Sequence, residues 1–244
     1  MRINKYLAKC GLGSRRKVEE FISGGLIFVN GKKCTDLAYR VDTENDEIRY
    51  KGKLLKLPED DFYLILNKPS GYVVSQSDEY NRKTVYDLLP EGFKSLPYAG
   101  RLDKASEGLL LFSSDGELIR RLTHPSFEIE KTYRVRVEPP LRKAQIDALR
   151  KGVEIEGRMS LPAKVYVKGK GEEAMELRII ITEGRKRQIR NMIAAVDSSV
   201  KNLRRVQFGT IRLDSLPSGR WRPLLENEVR ALYRSVNLKQ NKNI

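Results

Sequence analysis

Gly100-Arg101-Leu102-Asp103 sets one carboxylate beside one guanidinium, and the apolar run Gly108-Leu109-Leu110-Leu111-Phe112 follows at once. That spacing puts the pair on a loop that enters a buried strand. The chain has 244 residues with 47 Lys and Arg against 32 Asp and Glu, a formal net charge of +15. A lone acid in so basic a protein suits chemistry on a polyanion such as nucleic acid. Glycoside hydrolysis needs two facing carboxylates and a water, and a single candidate acid stands out here.

Other chemistries find little support. His124 is the one histidine, and no partner motif lies near it for a Ser-His-Asp triad or a metal site. Its place before Pro125 reads as a structural residue at a helix exit. Cys10 and Cys34 fit neither a disulfide framework nor a zinc spacing. No glycine-rich nucleotide loop appears. An enzyme built this way is expected to work without metal, nucleotide or redox cofactor. The longest apolar runs, such as Tyr63-Leu64-Ile65-Leu66, fall far short of the ~20 residues that span a bilayer. Met1-Arg2-Ile3-Asn4-Lys5 lacks the apolar stretch of a secretory signal. The expectation is a cytoplasmic protein with no membrane partner.

Elements that could hold these residues follow from the hydrophobic period. Ile3, Leu7 and Cys10 share one face of a helix over 2–10, broken at Gly11-Leu12-Gly13. Ser14 is a fitting N-cap for a second helix over 15–23, with Val18, Phe21 and Ile22 inward, and Gly24-Gly25 stops it. Leu26–Val29 reads as a strand and Asn30-Gly31 as its hairpin turn. Short strands near 38–41 and 47–50 are expected next. Residues 2–33 hold eight basic and two acidic residues, whereas 34–60 hold five basic and seven acidic. The positive charge is therefore concentrated on the two helices and the first hairpin. Leu57-Pro58-Glu59-Asp60-Asp61 reads as a linker, which divides the chain into domains 1–60 and 61–244.

Beyond it, strand patterns recur at 62–67, 72–75, 109–113, 132–137, 164–168 and 174–182. Helical patterns fall at 84–89, 115–123, 141–151, 185–196 and 226–235. Ser114 with Glu117 three residues on reads as a capping box. Strands and helices do not alternate strictly, so the fold class is α+β with a mixed, largely antiparallel sheet flanked by helices. The polar tail from Asn237 to Ile244 is expected to fray, and Trp221 reads as core or rim packing.

The N-terminal unit resembles the αL-type RNA-binding module of small-subunit ribosomal protein number four. The match rests on Ser14-Arg15-Arg16-Lys17-Val18-Glu19 and Val29-Asn30-Gly31. It implies phosphate contacts by Arg15, Arg16, Lys17 and Lys32, made by shape with little base reading. Three more segments join Gly100–Asp103 in the large domain: Asn67-Lys68-Pro69-Ser70-Gly71-Tyr72, Lys131-Thr132-Tyr133-Arg134-Val135 and Glu183-Gly184-Arg185-Lys186-Arg187-Gln188-Ile189-Arg190. In this order, behind that module, they resemble the RsuA/RluB-type pseudouridine synthases, which modify ribosomal RNA. Small departures occur at Ser106-Glu107 and at Asp197, where the family more often has threonine and glycine.

The resemblance implies roles. Asp103 corresponds to the catalytic aspartate, Tyr133 to the tyrosine that packs on the target base, and Arg190 to the cation that pairs with the aspartate. Arg101 corresponds to the arginine that helps extrude the base and takes its place. Lys68, Lys131, Arg185, Lys186 and Arg187 are expected RNA contacts. A cluster of cations at a helix start opposes the helix dipole, which is reasonable where it faces phosphate. The implied reaction exchanges no atoms with a co-reactant, in keeping with the missing cofactor motifs. The expected partner is ribosomal RNA, most closely that of the large subunit, or a pre-ribosomal particle, bound by a monomer. Two other readings stand beside this one. A ribosome-assembly factor on the same scaffold would have no use for Asp103, Tyr133 and Arg190 together. A DNA-binding protein is indicated by charge alone.

Overall fold

The structure is a computed structural model that describes residues 1–58, 60–76, 78–168 and 173–239. Two compact units result: residues 1–61 with 90–96, and residues 62–89 with 97–244. The expected boundary at 60/61 thus misses a short excursion, in which the 3-10 turn Glu91–Phe93 counts with the first unit. Position 59 of the expected linker and positions 240–244 of the expected tail lie outside the described residues.

In the first unit, α1 (Ile3–Lys9) and α2 (Arg15–Ser23) lead into a four-stranded sheet. Ser14 caps α2 as expected, its hydroxyl accepting from the Lys17 amide at 3.2 Å. The strands are β1 (Ile27–Val29), β2 (Lys32–Cys34), β3 (Ile48–Tyr50) and β4 (Lys53–Leu55), in the order β2-β1-β3-β4 and all antiparallel. Ile3, Leu7, Val18, Ile22, Ile27 and Ile48 form its core, each fully buried. No strand forms at 38–41. That segment is a turn held by Asp36, whose carboxylate accepts from the Ala38 amide at 2.8 Å, and one bridge joins Arg40 to Arg2.

The second unit is built on a nine-stranded sheet. Its strands are β5 (Tyr63–Lys68), β6 (Tyr98–Ala99), β7 (Glu107–Ser113), β8 (Lys131–Arg142), β11 (Lys164–Lys168), β12 (Glu173–Ile181), β13 (Ser199–Phe208), β14 (Ile211–Arg212) and β15 (Trp221–Pro223). A separate hairpin joins β9 (Glu154–Ile155) to β10 (Arg158–Met159). The main path runs β11-β12-β8-β13-β7-β5-β15, with β14 on β13 and β6 on β7. β13 and β7 pair in parallel, and every other pairing in the sheet is antiparallel. The helices are α3 (Gly116–Thr123), α4 (Lys143–Lys151), α5 (Gln188–Ala194) and α6 (Glu226–Ser235). Ile65, Leu109, Leu111, Leu118, Leu122, Phe208, Val229 and Leu232 form a dry cluster where α3 and α6 meet the sheet.

Several expectations change. The cap of α3 is Asp115, whose carboxylate accepts from the Glu117 and Leu118 amides at 2.9 and 3.1 Å. Ser114 instead accepts from the Phe62 amide at 2.9 Å, tying β5 to this turn. The segment 72–75 makes one bridge, Val73 to Thr84, rather than a strand. The helix expected at 84–89 is a single 3-10 turn, Val85–Leu88. α5 starts at Gln188, three residues later than expected, because Arg187 takes a left-handed φ of 50°. The largest omission is β13, which the sequence reading leaves out although it sits between β8 and β7.

Candidate active-site cleft

Asp103 sits on the loop between β6 and β7, which begins at Gly100 with φ of 70°. Three neighbours hold that loop. The Ser106 amide donates to the Asp103 carbonyl at 2.9 Å, and the Gly71 amide donates to the Lys104 carbonyl at 2.8 Å. From the end of β5, the Lys68 ammonium donates to the carbonyls of Ser106 at 2.7 Å, Pro69 at 3.0 Å and Lys104 at 3.2 Å. From α5, Arg190 donates to the Ala105 carbonyl at 3.2 Å and to the Val200 carbonyl of β13 at 3.3 Å.

These contacts correct two expectations. Lys68 is fully buried, so it cannot reach RNA in this arrangement. Its charge is spent on the loop that carries Asp103, and burial pushes its pKa down to about 8 against the pull of Glu107 and Asp103. Arg190 and Asp103 form no ion pair. Burial and the nearby Arg187 lower the Arg190 pKa, while Asp103 draws it the other way, so the two residues act on each other through space.

The loop opens on a cleft of about 770 Å³. Asp103, Arg101 and Lys104 line one side, Tyr133 and Lys131 of β8 another, and the segment from Thr182 to Ile189 a third. Arg190 is absent from the lining. Tyr133 is 8% exposed and pairs across the sheet with Ile179 of β12 and Arg205 of β13. Lys131 donates to the Thr182 carbonyl at 2.6 Å, and burial, followed by Arg205, pushes its pKa down to about 8. It borders the cleft, yet its amine is already committed to the protein.

The three expected cations before α5 divide. Arg185 lines the cleft and also clasps the β9–β10 hairpin, donating to the Ile155 carbonyl at 2.6 Å and to those of Arg158 and Met159 at 3.3 and 3.4 Å. Its guanidinium is thus partly committed to the protein, while the residue stays half-exposed on the cleft wall. Lys186 and Arg187 are exposed on the cleft wall, as is Arg101. Glu183 fixes this wall by accepting from the Leu161 amide at 3.0 Å and from the Gln188 side chain.

Two cleft residues escaped the sequence reading. Arg205 is 2% exposed, stacks over the Phe208 ring at 5.0 Å and donates from Nε to the Leu109 carbonyl at 2.7 Å. Its Nη2 is buried with no partner among the described residues. A buried arginine inside a strand leaves no mark in a hydrophobic pattern. Arg82 also lines the cleft, gripped by Asp78 at 2.5 Å and stacked over Tyr80 at 4.9 Å. Hydrogen bonds from the Arg82 side chain and amide, with its charge behind them, draw the Asp78 carboxyl down to about 2.

In the first unit, Arg15, Arg16, Lys17 and Lys32 are all exposed, as a phosphate-binding face requires. Lys17 pairs with Glu20 at 2.6 Å and lies over the Phe21 ring at 5.4 Å. His124 caps the turn after α3, its Nδ1 accepting from the Ser126 amide at 3.3 Å. Among the described residues, no group of three or more His, Cys, Asp or Glu could hold a metal ion, and no helix is long and apolar enough to cross a membrane.

The chain is similar to known proteins over nearly its whole length. Residues 62–195 match the profile of the RNA pseudouridylate synthases, and residues 1–48 match the S4 domain. The large-subunit pseudouridine synthase B of Bacillus subtilis is 36% identical over 237 residues, covering 95% of each chain. An RNA pseudouridine synthase of Aquifex aeolicus is 35% identical over 241 residues, covering 98% of this chain and 96% of its own. A crystal structure of a pseudouridylate synthase aligns with a TM-score of 0.69 at 31% identity, covering 95% of this chain and 99% of that one.

Proposed function

Since the chain belongs to the family of RNA pseudouridylate synthases, we propose that it isomerises one uridine of large-subunit ribosomal RNA, with Asp103 as the catalytic carboxylate. The observation that carries this reading is that Asp103 and Tyr133 line one cleft whose wall bears the exposed cations Arg101, Lys186 and Arg187. The reaction breaks the glycosidic bond from the ribose to N1 of uracil, turns the base and forms a carbon–carbon bond to C5. The C5 hydrogen leaves, and N1 gains one. Nothing else enters or departs, so a monomer with no cofactor suffices.

A uridine inside a helix is out of reach of Asp103, so the base must first swing out. That costs a few kcal/mol. Stacking on an aromatic ring such as Tyr133 returns ~1–3 kcal/mol. Arg101 is the residue assigned to fill the vacated gap, a reading supported by its exposure at the cleft. The Lys68 and Arg190 contacts hold the carboxylate's loop before substrate arrives, so little reorganisation is left for the reaction itself. The S4 domain supplies the second anchor through Arg15, Arg16 and Lys32.

Release of tritium from RNA labelled at uracil C5 tests the assignment. Asp103→Asn is expected to abolish release while RNA affinity stays within a few fold of wild type. Full release by that variant would remove Asp103 from the mechanism.

A further inference from the structure

Consecutive strand residues point to opposite faces of a sheet. Tyr133 and Arg205 face the cleft, so Arg134 and Arg204 face away from it. Registers align that second face into one transverse row. Tyr166 of β11 is opposite Arg178 of β12, Arg178 is opposite Arg134 of β8, and Arg134 is opposite Arg204 of β13. Glu107 of β7 ends the row beside Arg204. Three arginines thus stand on adjacent strands spaced ~4.8 Å apart. Arg136 follows Arg134 on the same face.

Like charges placed directly opposite on a sheet oppose its stability, and the acids beside this row, Glu107 opposite Arg204 and Glu176 opposite Arg136, close no ion pair with it among the described residues. Arg134, Arg136 and Arg178 are exposed, and among the described residues none of the four arginines has an ion pair. The acids of this face are used elsewhere: Glu176 pairs with Lys168 at 3.2 Å, Glu138 with Lys201 at 2.7 Å, and Glu107 accepts from Asn202 at 3.4 Å. Arg204 Nε is buried with no partner among the described residues. At the sheet's edge, Arg178 lies 4.6 Å over the ring of Tyr166, which is itself 46% exposed. An aromatic ring beside a row of guanidinium groups matches what a nucleic-acid backbone and its unstacked bases require.

We infer that the face built on Tyr166, Arg178, Arg134 and Arg204 is a further RNA-binding surface besides the cleft and the S4 domain, gripping phosphates of the substrate RNA on the side of the sheet opposite the cleft. This rests on the reading of the chain as an enzyme of ribosomal RNA, for a short stem-loop seated in the cleft cannot also reach the opposite face. A long folded RNA can pass around the β11 edge and contact both. The row contributes affinity and orientation, and it takes no part in bond making.

The full-length double variant Arg134→Gln/Arg178→Gln tests this against a charge-matched control, Lys143→Gln/Lys151→Gln, on the exposed side of α4. Binding is measured by filter retention of a large-subunit ribosomal RNA transcript and of a short uridine-bearing stem-loop, across a salt series. For the transcript the double variant is expected to lose on the order of tenfold or more near 0.1 M salt, and its log–log salt slope to flatten by ~1.4 to 1.8. The control should change little, and the stem-loop should bind both variants like wild type. Melting temperature should hold or rise, since repulsion is relieved. Transcript affinity equal to the control's, or an equal loss on both RNAs, would overturn the proposal. Tritium release by the wild type is scored separately, so failure of the catalytic assignment leaves the binding comparison intact.

Discussion

Lys68 illustrates how a residue's chemistry is set by its neighbours. By type and motif it reads as a phosphate ligand, yet its ammonium is locked against three carbonyls, two of them on the Asp103 loop. Lys68→Met leaves buried carbonyls without donors, each costing ~1–3 kcal/mol. We expect the variant to be less stable at pH 7 and to show reduced kcat with little change in KM, because the loop loses its clamp while the RNA contacts remain. The pH dependence follows from the lowered pKa. Between about 8 and the unfolded value of 10.5, the unfolded chain holds a proton that the folded Lys68 has released. Stability of the wild type relative to Lys68→Met therefore rises with pH across that window. Denaturant titrations at pH 7 and pH 9.5 measure the difference, and a constant gap would remove the buried amine as its source.

At the scale of elements, the parallel junction between β7 and β13 brings the Asp103 loop beside the Tyr133 wall. It depends on Gly108. Arg205 of β13 lies opposite it, and a Cβ there would stand 2.2 Å from the Arg205 carbonyl oxygen, with φ already at 103°. Gly108→Ala must push the two strands apart or twist the backbone, so a loss of at least ~2 kcal/mol is expected. Thermal unfolding reads this directly, and a melting temperature equal to wild type would show that the junction yields at no cost. The same junction explains why β13 escapes a sequence reading. Its residues include Lys201, Asn202, Arg204 and Arg205, with no apolar alternation strong enough to announce a central strand. Elements with clear periods are legible, such as α2 and α6, whose buried faces are Val18 and Ile22, and Val229, Leu232 and Tyr233. Boundaries set by one backbone angle are not, as Arg187 shows at the start of α5.

At the scale of the molecule, the net charge of +15 divides among surfaces with different tasks. The S4 domain offers Arg15 and Arg16, the cleft offers Arg101, Lys186 and Arg187, and the far side of the large sheet offers its arginine row. If the S4 domain anchors the RNA and leaves the chemistry to the cleft, the full-length variant Arg15→Glu/Arg16→Glu should weaken RNA affinity at least tenfold through lost phosphate contacts. Its single-turnover rate at saturating enzyme should stay close to wild type. A collapse of that rate would mean that the domain also sets the geometry of the reacting uridine.

The amino-acid order alone determined the two-part organisation, the α+β class and the loop that carries Asp103, while the resemblance on four short motifs supplied the family and, through it, the role expected of Tyr133. These depend on local signals, namely hydrophobic period, turn residues and motif spacing, which survive in one dimension. Tertiary structure decided which cations are free and which are spent. Lys68 and Arg185 look like Arg101 and Lys186 in composition, yet two are bound to backbone carbonyls and two are open to solvent. The arginine row likewise arises from strand register, which draws together residues 134, 178 and 204 from three separate segments. Charge is written in the sequence, but its availability depends on desolvation and pairing, and these exist only once distant strands have met.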